Sequence, residues 1–583
     1  MDGKKLPYEQ LMWKSINKTR EKVLNLPFQT QNENKSRSSV KIEKNDLQVE
    51  DSKNITTPFK VKISLNKNCR VLLKPSNKLI ALVLSKLPRS SYDTKSNEWT
   101  FDVEYYEEVV KELVKSKIIF DKIPQGTITL AKRTYKNDSY DLQGGIYDIL
   151  MAFQREAVNF AINRNGRILL ADDMGLGKTI QALAIANYYK LEYPLLILSP
   201  ASLCYNWLDS VQRFLSEEAC IIREKTDFGC RIAIMSYNLA VNFIDVLNTC
   251  KYGVIICDEC HYLKSMNSKR TKLLLPLLQK SSRLIMISGT PATSRPLELY
   301  PIICALDRGL YPSFQVYGSR YCDGRKIGTF FDYRGCSNAV ELSAVIEKAF
   351  MIRRVKDNVL NQLPKKFRRQ IFLDTRASES TTLKKGELFG DNLDTRIMQE
   401  YNQASIIKRE PVIKYMEGII EKKIKCIVFA HHKEMLDALE SFCVEKQIKY
   451  IRIDGATQST KRQNLVDMFQ NDENIRIAIL SLTACSTGLT LTSGKAVIFA
   501  ELYWNPGTML QAEDRVHRIG QCDNVDIHYL VAKNTIDEMV WPKLLKKLTV
   551  LESLGISKNE LRHVKGTNVD EPVQQRLEFK RID

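Results

Sequence analysis

The 583-residue chain contains no apolar run near the length of about 18 residues that a membrane-spanning helix needs. Its first residues, MDGKKLPYEQ, have neither the apolar core nor the small-residue cleavage site of a secretory signal. These absences predict an intracellular protein with no membrane partner. The 14 cysteines are scattered rather than set at framework spacings, which predicts reduced thiols. One C-x-x-C occurs, Cys257-Asp258-Glu259-Cys260, but no second pair stands at zinc-ligand spacing, so redox and zinc readings fall away. What the chain has in excess is positive charge: 87 Lys and Arg against 68 Asp and Glu, a net +19 that favours a polyanionic partner. At this length and 44% hydrophobic content several domains are expected, because single cores rarely grow past about 250–300 residues.

From Gln29 to Thr56 the composition turns to Asn, Lys, Ser, Glu and Gln without apolar periodicity. Residues 1–56 therefore read as a disordered segment, with one short helix at 8–25. Order is expected from residue 57. Phe59, Val61, Ile63 and Leu65 alternate with Lys60, Lys62 and Ser64, the pattern of a half-buried strand with a basic outer face. A strand at 69–74, a helix at 79–87, the polar turn SSYDTKSNE, a strand at 99–103 and a helix at 105–114 complete a small α+β domain, 57–128. Lys60, Lys62 and Arg70 are its candidate phosphate contacts; Trp99 and Tyr105 are expected in the core before a base-stacking surface. From Ile146 short apolar strands alternate with amphipathic helices, the habit of parallel α/β sheets. The pattern predicts one lobe at 146–305 and another at 406–560, with an irregular insert at 306–405 and a basic tail at 561–583.

The apolar run Ile168-Leu169-Leu170 enters ADDMGLGKTI and then a helix-forming stretch. A strand, a glycine turn and a helix leave backbone N–H groups and a positive helix end aimed at one spot, which suits a phosphate chain. Asp173, Met174, Gly175, Leu176 and Gly177 form that turn, Lys178 adds a point charge, and Thr179 a hydroxyl for Mg²⁺. The P-loop pattern is incomplete, since Asp172 stands at its first glycine. Val254-Ile255-Ile256-Cys257 is a buried strand ending in Asp258 and Glu259: a Walker B pair, Asp258 for Mg²⁺ and Glu259 for the attacking water. His261 is read as a contact to the next motif, Ser288-Gly289-Thr290-Pro291. Gln154, in Phe153-Gln154-Arg155-Glu156, suits bidentate pairing with adenine. In QAEDRVHRIGQ, Arg515 and Arg518 stand three apart, one face of a helix, and suit stabilisation of a transferring phosphoryl from the opposite lobe.

ADDMGLGKTIQAL, SPASLCYNW, DECHYLK, SGTP, MIRRVKDNVLNQLP, IRIDGAT and QAEDRVHRIGQ occur in that order. On these motifs the chain from Gln154 to about Lys547 resembles the Swi/Snf-related branch of the superfamily-two helicase-like ATPases. FAHHKEMLDAL, FAELYWNPGTMLQAEDRVHRIGQ and IHYLVAK look most like its annealing-helicase, SMARCAL type, and residues 57–125 resemble a single HARP domain. The resemblance implies two RecA-like parallel-sheet lobes in tandem behind the small α+β domain. It implies ATP and Mg²⁺ between the lobes, held by Gln154, Asp173–Thr179, Asp258, Glu259, Arg515 and Arg518. A DNA track would follow Ser199, Pro200, Ser202, Ser288, Thr290, Ser481 and Thr483. The implied activity is a nuclear, monomeric, DNA-dependent ATPase that anneals strands and remodels stalled forks. Its substrates would be double-stranded and branched DNA and single-strand/double-strand junctions. I-x-x-x-R-x-K-V-L, from Ile16 to Leu24, resembles the replication-protein-A-binding helix of this type. The alternatives are a nucleosome remodeller and a DNA-binding scaffold with a decayed motor. No bromodomain, chromodomain or SANT-like segment is evident, and every catalytic position is filled.

Overall fold

The computed structural model describes residues 59–311, 313–359, 363–375, 393–483, 489–518, 520–556 and 564–568. The segment expected at 1–56, including the helix from Ile16 to Leu24, lies outside them. No helix among the described residues is long and apolar enough to cross a membrane.

The small domain is a five-stranded sheet of β1 (Lys60–Leu65), β2 (Val71–Lys74), β3 (Ser91–Asp93), β4 (Glu98–Phe101) and β5 (Ile119–Phe120), ordered β3-β4-β2-β1-β5. Alternation in β1 buries Val61, Ile63 and Leu65 and exposes Lys60 and Lys62. Helix Tyr106–Lys115 covers the sheet with Tyr106, Val109, Val110 and Leu113. Helix Lys78–Leu84 starts where the Asn77 side chain accepts the Ile80 N–H at 2.8 Å, and stops short of the expected 87. The polar stretch SSYDTKSNE is not simply a turn. Its Ser91–Asp93 pairs with β4, and Tyr92 packs on Trp99 with ring centroids 5.1 Å apart. Trp99 is core, its Nε1–H donating to Ser76 Oγ at 2.9 Å.

The first large sheet contains β6 (Arg167–Leu170), β7 (Leu195–Ser199), β8 (Cys220–Ile221), β9 (Ile232–Ser236), β10 (Val254–Cys257) and β11 (Arg283–Ile287). After a surface hairpin of β12 (Arg325–Ile327) and β13 (Phe330–Asp332), the chain returns to add β14 (Met351–Ile352) beside β6. The order is β14-β6-β11-β10-β7-β9-β8, parallel throughout. The second large sheet joins β15 (Lys366–Leu373), β16 (Cys426–Ala430), β17 (Tyr450–Ile453), β18 (Ile477–Ser481), β19 (Ala496–Phe499), β20 (Val525–Ala532) and β21 (Lys565–Asn568). Its order is β17-β18-β16-β19-β20-β15-β21, also parallel.

Three expectations are corrected. The stretch 306–405 is not an irregular insert: β14 completes the first sheet, and β15 pairs along its whole length with β20, so the second sheet begins at Lys366. The charged strand KFRRQIFL hid this, because its basic residues are neutralised only by tertiary partners; Arg368 sits on Glu513 at 2.6 Å. Lys565–Asn568, expected in a basic tail, is an edge strand against β15. The cysteines are not all reduced: β8 and the approach to β9 run side by side and bridge Cys220 to Cys230, with Cα atoms 6.2 Å apart.

A buried polar network fixes the small domain to the first lobe. Arg320 and Glu341 pair at 2.6 Å with almost no exposure. Arg320 also donates to Ile63 O at 2.8 Å, Glu341 accepts the Leu65 N–H at 3.1 Å, and Thr127 bonds Tyr321 OH at 2.6 Å. A buried ion pair persists when its remaining donors and acceptors are met, as here.

Candidate active site between the two lobes

β6 delivers Asp172 and the glycine turn to the start of helix Lys178–Tyr188. Gly175 (φ +85°) and Gly177 (φ +74°) hold left-handed backbone that disfavours a side chain. Both are also crowded: a Cβ on Gly177 would lie 2.6 Å from Gln154 Nε2, and one on Gly175 3.1 Å from Arg518 Cβ. The Lys178 ammonium folds back onto the carbonyls of Asp172 (2.8 Å) and Asp173 (3.1 Å). Burial pushes its pKa down, opposed by the carboxylates of Glu259, Asp172, Asp173 and Asp258. Met174 lies under Gly289, whose Cβ would approach Met174 Cγ to 2.6 Å. Leu176 is fully buried, and Thr179 is half-buried in the first helical turn.

β10 ends at the acidic pair. Asp258 Oδ2 accepts the Trp207 indole N–H at 2.8 Å, and Asp258 Oδ1 accepts the Glu259 N–H at 2.9 Å. Burial, then the neighbouring Glu259, push the Asp258 carboxyl upward. Glu259 leaves the strand in left-handed backbone (φ +49°), which costs about 1–2 kcal/mol in a non-glycine residue and turns its carboxyl into the cleft. Burial alone would raise its pKa; His261, Arg515 and Lys178 outweigh that and hold Glu259 below the usual glutamate range. His261 Nδ1 stands 3.2 Å from Glu259 Oε2 and 3.3 Å from Ser288 Oγ, joining the Walker B strand to the Ser-Gly-Thr-Pro turn.

From the second lobe, Arg515 is buried close enough to Glu259 to lower its pKa, and Arg518 covers Gly175 while donating to Thr490 Oγ1 at 2.8 Å. The expectation that both share a helix face is corrected. Helix Pro506–Glu513 ends before them, and its last bonds tighten to i→i+3 turns (Arg515 N to Ala512 O, 3.2 Å). Leu491 N–H then bonds Arg515 O at 3.0 Å and fixes the turn. The fold, not helical periodicity, brings the two guanidinium groups to the cleft.

The DNA-track candidates are redistributed. Ser199 and Ser288 are wholly buried, and Pro200, Thr290 and Ser481 nearly so. Thr290 Oγ1 instead accepts Gln511 Nε2–H across the cleft at 3.0 Å, while Ser481 bonds Thr483 at 2.8 Å. Ser202 is half-buried and Thr483 exposed, so of this set those two face solvent. Arg70 is held by Asp102 at 2.9 Å, leaving Lys60 and Lys62 as the exposed cations of β1. Gln154 is not open to a base: its Oε1 accepts Met151 N–H (3.0 Å) and its Nε2 donates to Leu176 O (3.2 Å), tying its helix to the glycine turn.

Sequence reasoning missed the clasp supplied by Arg353, Arg354 and Lys356. Arg354 pairs with Asp172 at 2.6 Å, which explains an aspartate at the first P-loop glycine. Arg353 pairs with Asp173 at 2.7 Å, and Lys356 reaches across the cleft to Asp514 at 2.8 Å. The signal was present in MIRRVKDN, three cations with a single acid, but nothing local says that the partners of its arginines lie 180 residues upstream and that of its lysine far downstream.

The donor set fits a nucleotide with a divalent cation: a left-handed glycine turn, a half-buried ammonium whose hydrogen bonds go to carbonyls, and a carboxyl pair at a strand end beside it.

Residues 153–426 match the SNF2-related domain, and residues 408–520 the helicase conserved C-terminal domain. The chain is 35% identical over 537 residues to the SWI/SNF-related matrix-associated actin-dependent regulator of chromatin subfamily A-like protein 1 homolog of Caenorhabditis elegans, covering 87% of this chain and 77% of that one. It is 38% identical over 496 residues to the A-like protein 1 of Xenopus tropicalis, covering 80% and 52%. It is 40% identical over 433 residues to the human DNA annealing helicase and endonuclease ZRANB3, covering 69% and 40%. The chain thus spans about half the length of several of the curated relatives it matches.

Proposed function

Since the chain belongs to the SWI/SNF-related A-like protein 1 family, we propose that it is a nuclear, DNA-dependent ATPase that translocates on DNA, anneals complementary strands and remodels branched DNA such as stalled forks. The observation that carries this reading is the meeting of Arg515 and Arg518 from one lobe with Glu259 and Gly175 of the other. Hydrolysis then depends on cleft closure, which is what a motor requires.

In this reading the Gly175–Lys178 turn cradles the phosphate chain with backbone N–H groups, and Lys178 leaves its two carbonyls to pair with the terminal phosphates. Thr179 and Asp258 would hold Mg²⁺, which would neutralise charge on the phosphates. Glu259, kept ionised by its cationic neighbours, accepts the proton of the attacking water. Arg515 and Arg518 stabilise the negative charge that builds on the transferring phosphoryl. Changes at the nucleotide pass from Glu259 through His261 to Ser288 and onward to the Ser202 and Thr483 surfaces where the DNA backbone runs. The small domain, similar to a HARP unit, adds a basic face at Lys60 and Lys62.

The test is steady-state ATP hydrolysis by the purified chain with no DNA, single strand, duplex and a forked junction, and Glu259→Gln as control. Stimulation strongest on the fork and absent in the control supports fork remodelling. Equal stimulation by plain duplex reduces the protein to a general translocase, and stimulation that requires histones favours the nucleosome reading.

A further inference from the structure

Behind the first lobe, at the opposite edge of its sheet from the nucleotide site, lies a cavity of about 830 Å³. Arg167 is the first residue of β6, whereas Asp172 lies two residues past its end; at about 3.3 Å per residue the strand separates the two sites by roughly 16 Å. Arg133, Lys136, Arg164, Arg167 and Arg308 line the cavity against a single carboxylate, Asp307. The five cations differ in what they are free to do. Arg167 is engaged by carbonyls, including Leu306 O at 2.9 Å and Ser281 O at 2.6 Å, and contributes a fixed charge. Arg164 is sandwiched between the rings of Phe160 (3.5 Å) and Tyr135 (4.5 Å), and its buried Nε has no hydrogen-bond partner. Arg133 leans on Asp307 at 3.4 Å. Lys136 and Arg308 are exposed and make no ion pair or hydrogen bond among the described residues. The rings of Tyr135 and Tyr140 complete the wall.

Two free cations, a half-occupied arginine and aromatic walls are the recipe for a ligand with phosphates and flat bases. The volume corresponds to a cube of about 9 Å a side, narrower than the major groove of a duplex alone, so a double helix does not enter. We infer that this cavity, at the joint between the small domain and the first lobe, grips a single strand of nucleic acid. Its bases lie against Tyr135 and Tyr140, and its phosphates against Lys136, Arg308 and Arg133. The choice of a strand over a free nucleotide rests on the DNA-motor reading above. A strand held here, away from the motor track, is what a protein that rejoins separated strands needs to keep the second strand near.

The experiment measures binding of a fluorescein-labelled oligothymidylate of about ten nucleotides to the full chain, with unlabelled duplex saturating the motor. Lys136→Gln/Arg308→Gln is expected to weaken that binding about tenfold or more and to lower its salt slope by roughly 1.4, at 0.7 per lost phosphate contact. Duplex-stimulated hydrolysis should be unchanged in the same variant. Unchanged affinity and slope overturn the inference. Displacement of the oligonucleotide by thymidine monophosphate at equal concentration also overturns it, since the cavity is then a mononucleotide site. If the wild-type chain shows no DNA-stimulated hydrolysis yet loses oligothymidylate binding in the variant, the motor reading falls and the cavity assignment stands.

Discussion

The two large sheets present the same local arrangement, a parallel strand running into the N-terminus of a helix, and fill it in opposite ways. After β6 the turn before helix Lys178–Tyr188 is glycine-rich and carries an ammonium bonded only to carbonyls. After β16 the N–H groups of His431 and His432, at the start of helix Lys433–Glu445, are bonded by one oxygen of Glu501 at 2.6 and 2.9 Å. The other oxygen of Glu501 lies 2.6 Å from His432 Nδ1. Burial would raise the pKa of Glu501, but His432 and these N–H groups hold it down to about 2. The second lobe thus carries its own anion where the first keeps room for a foreign one. A shared fold does not imply a shared site: in the proposed reading one lobe binds the nucleotide, and the other is left to supply arginines.

Exchanging roles should therefore fail sharply in the first lobe. Glu259→Gln is expected to cut DNA-stimulated turnover about a thousandfold, the middle of the range for a lost general base, with thermal stability unchanged. Lys178→Ala should do the same and also weaken nucleotide binding. Retention of more than a tenth of wild-type turnover in Glu259→Gln would break the assignment of chemistry to this lobe.

The second lobe should contribute through the cleft alone. Arg515→Ala is expected to lower turnover about a hundredfold while nucleotide affinity moves only a few-fold, the split of a group acting on developing charge. Single-turnover hydrolysis with a separate binding titration reads both. A matched loss in affinity and turnover would mean that Arg515 only holds the nucleotide.

Much of this was legible in the sequence, and for a physical reason. The strands β10, β16 and β18, and β6 after its first residue Arg167, are apolar runs, because both faces of a parallel sheet are covered, and each leads into polar residues at its carboxyl end. Glycine spacing and adjacent carboxyls are likewise local patterns. What stayed hidden depends on distant pairing. KFRRQIFL reads as a charged surface until Glu513 and Asp514 arrive from some 145 residues away to neutralise it. Ser199 and Ser288 were placed on the DNA track through the family resemblance, and a motif match says nothing of burial, which in both is complete. The clasp of Arg353, Arg354 and Lys356 was a visible run of charge with invisible partners.

If Glu501 is a built-in anion, removing its charge should cost stability and leave chemistry alone. Glu501→Gln keeps an acceptor but loses the charge-assisted bonds, and about 2 kcal/mol of folding free energy in the second lobe should go with them. Hydrolysis by the folded fraction should stay within twofold of wild type. Denaturant unfolding followed by Trp504 fluorescence, beside an activity assay, separates the two effects; a large fall in specific turnover would show that Glu501 serves the cleft.

The smallest effect sharpens the comparison through pH. Among the described residues the first lobe holds one histidine, His261, and the second holds His431, His432, His517 and His528. Burial, then nearby cations, push His517 and His528 down to about 4. His528 is neutral in the sheet, its Nδ1 2.9 Å from Tyr415 OH. An unfolded histidine takes up its proton near pH 6.5, the folded one only near 4, so their contribution is complete above about 6.5 and is lost as pH falls from there to 4. Each is worth up to roughly 3 kcal/mol at the bottom of that window. Hydrogen exchange at pH 5 should therefore open β19 and β20 ahead of β6 and β10, with His528→Phe narrowing the gap. Equal acid sensitivity of both sheets would place the loss elsewhere, in carboxylates that the two lobes share alike.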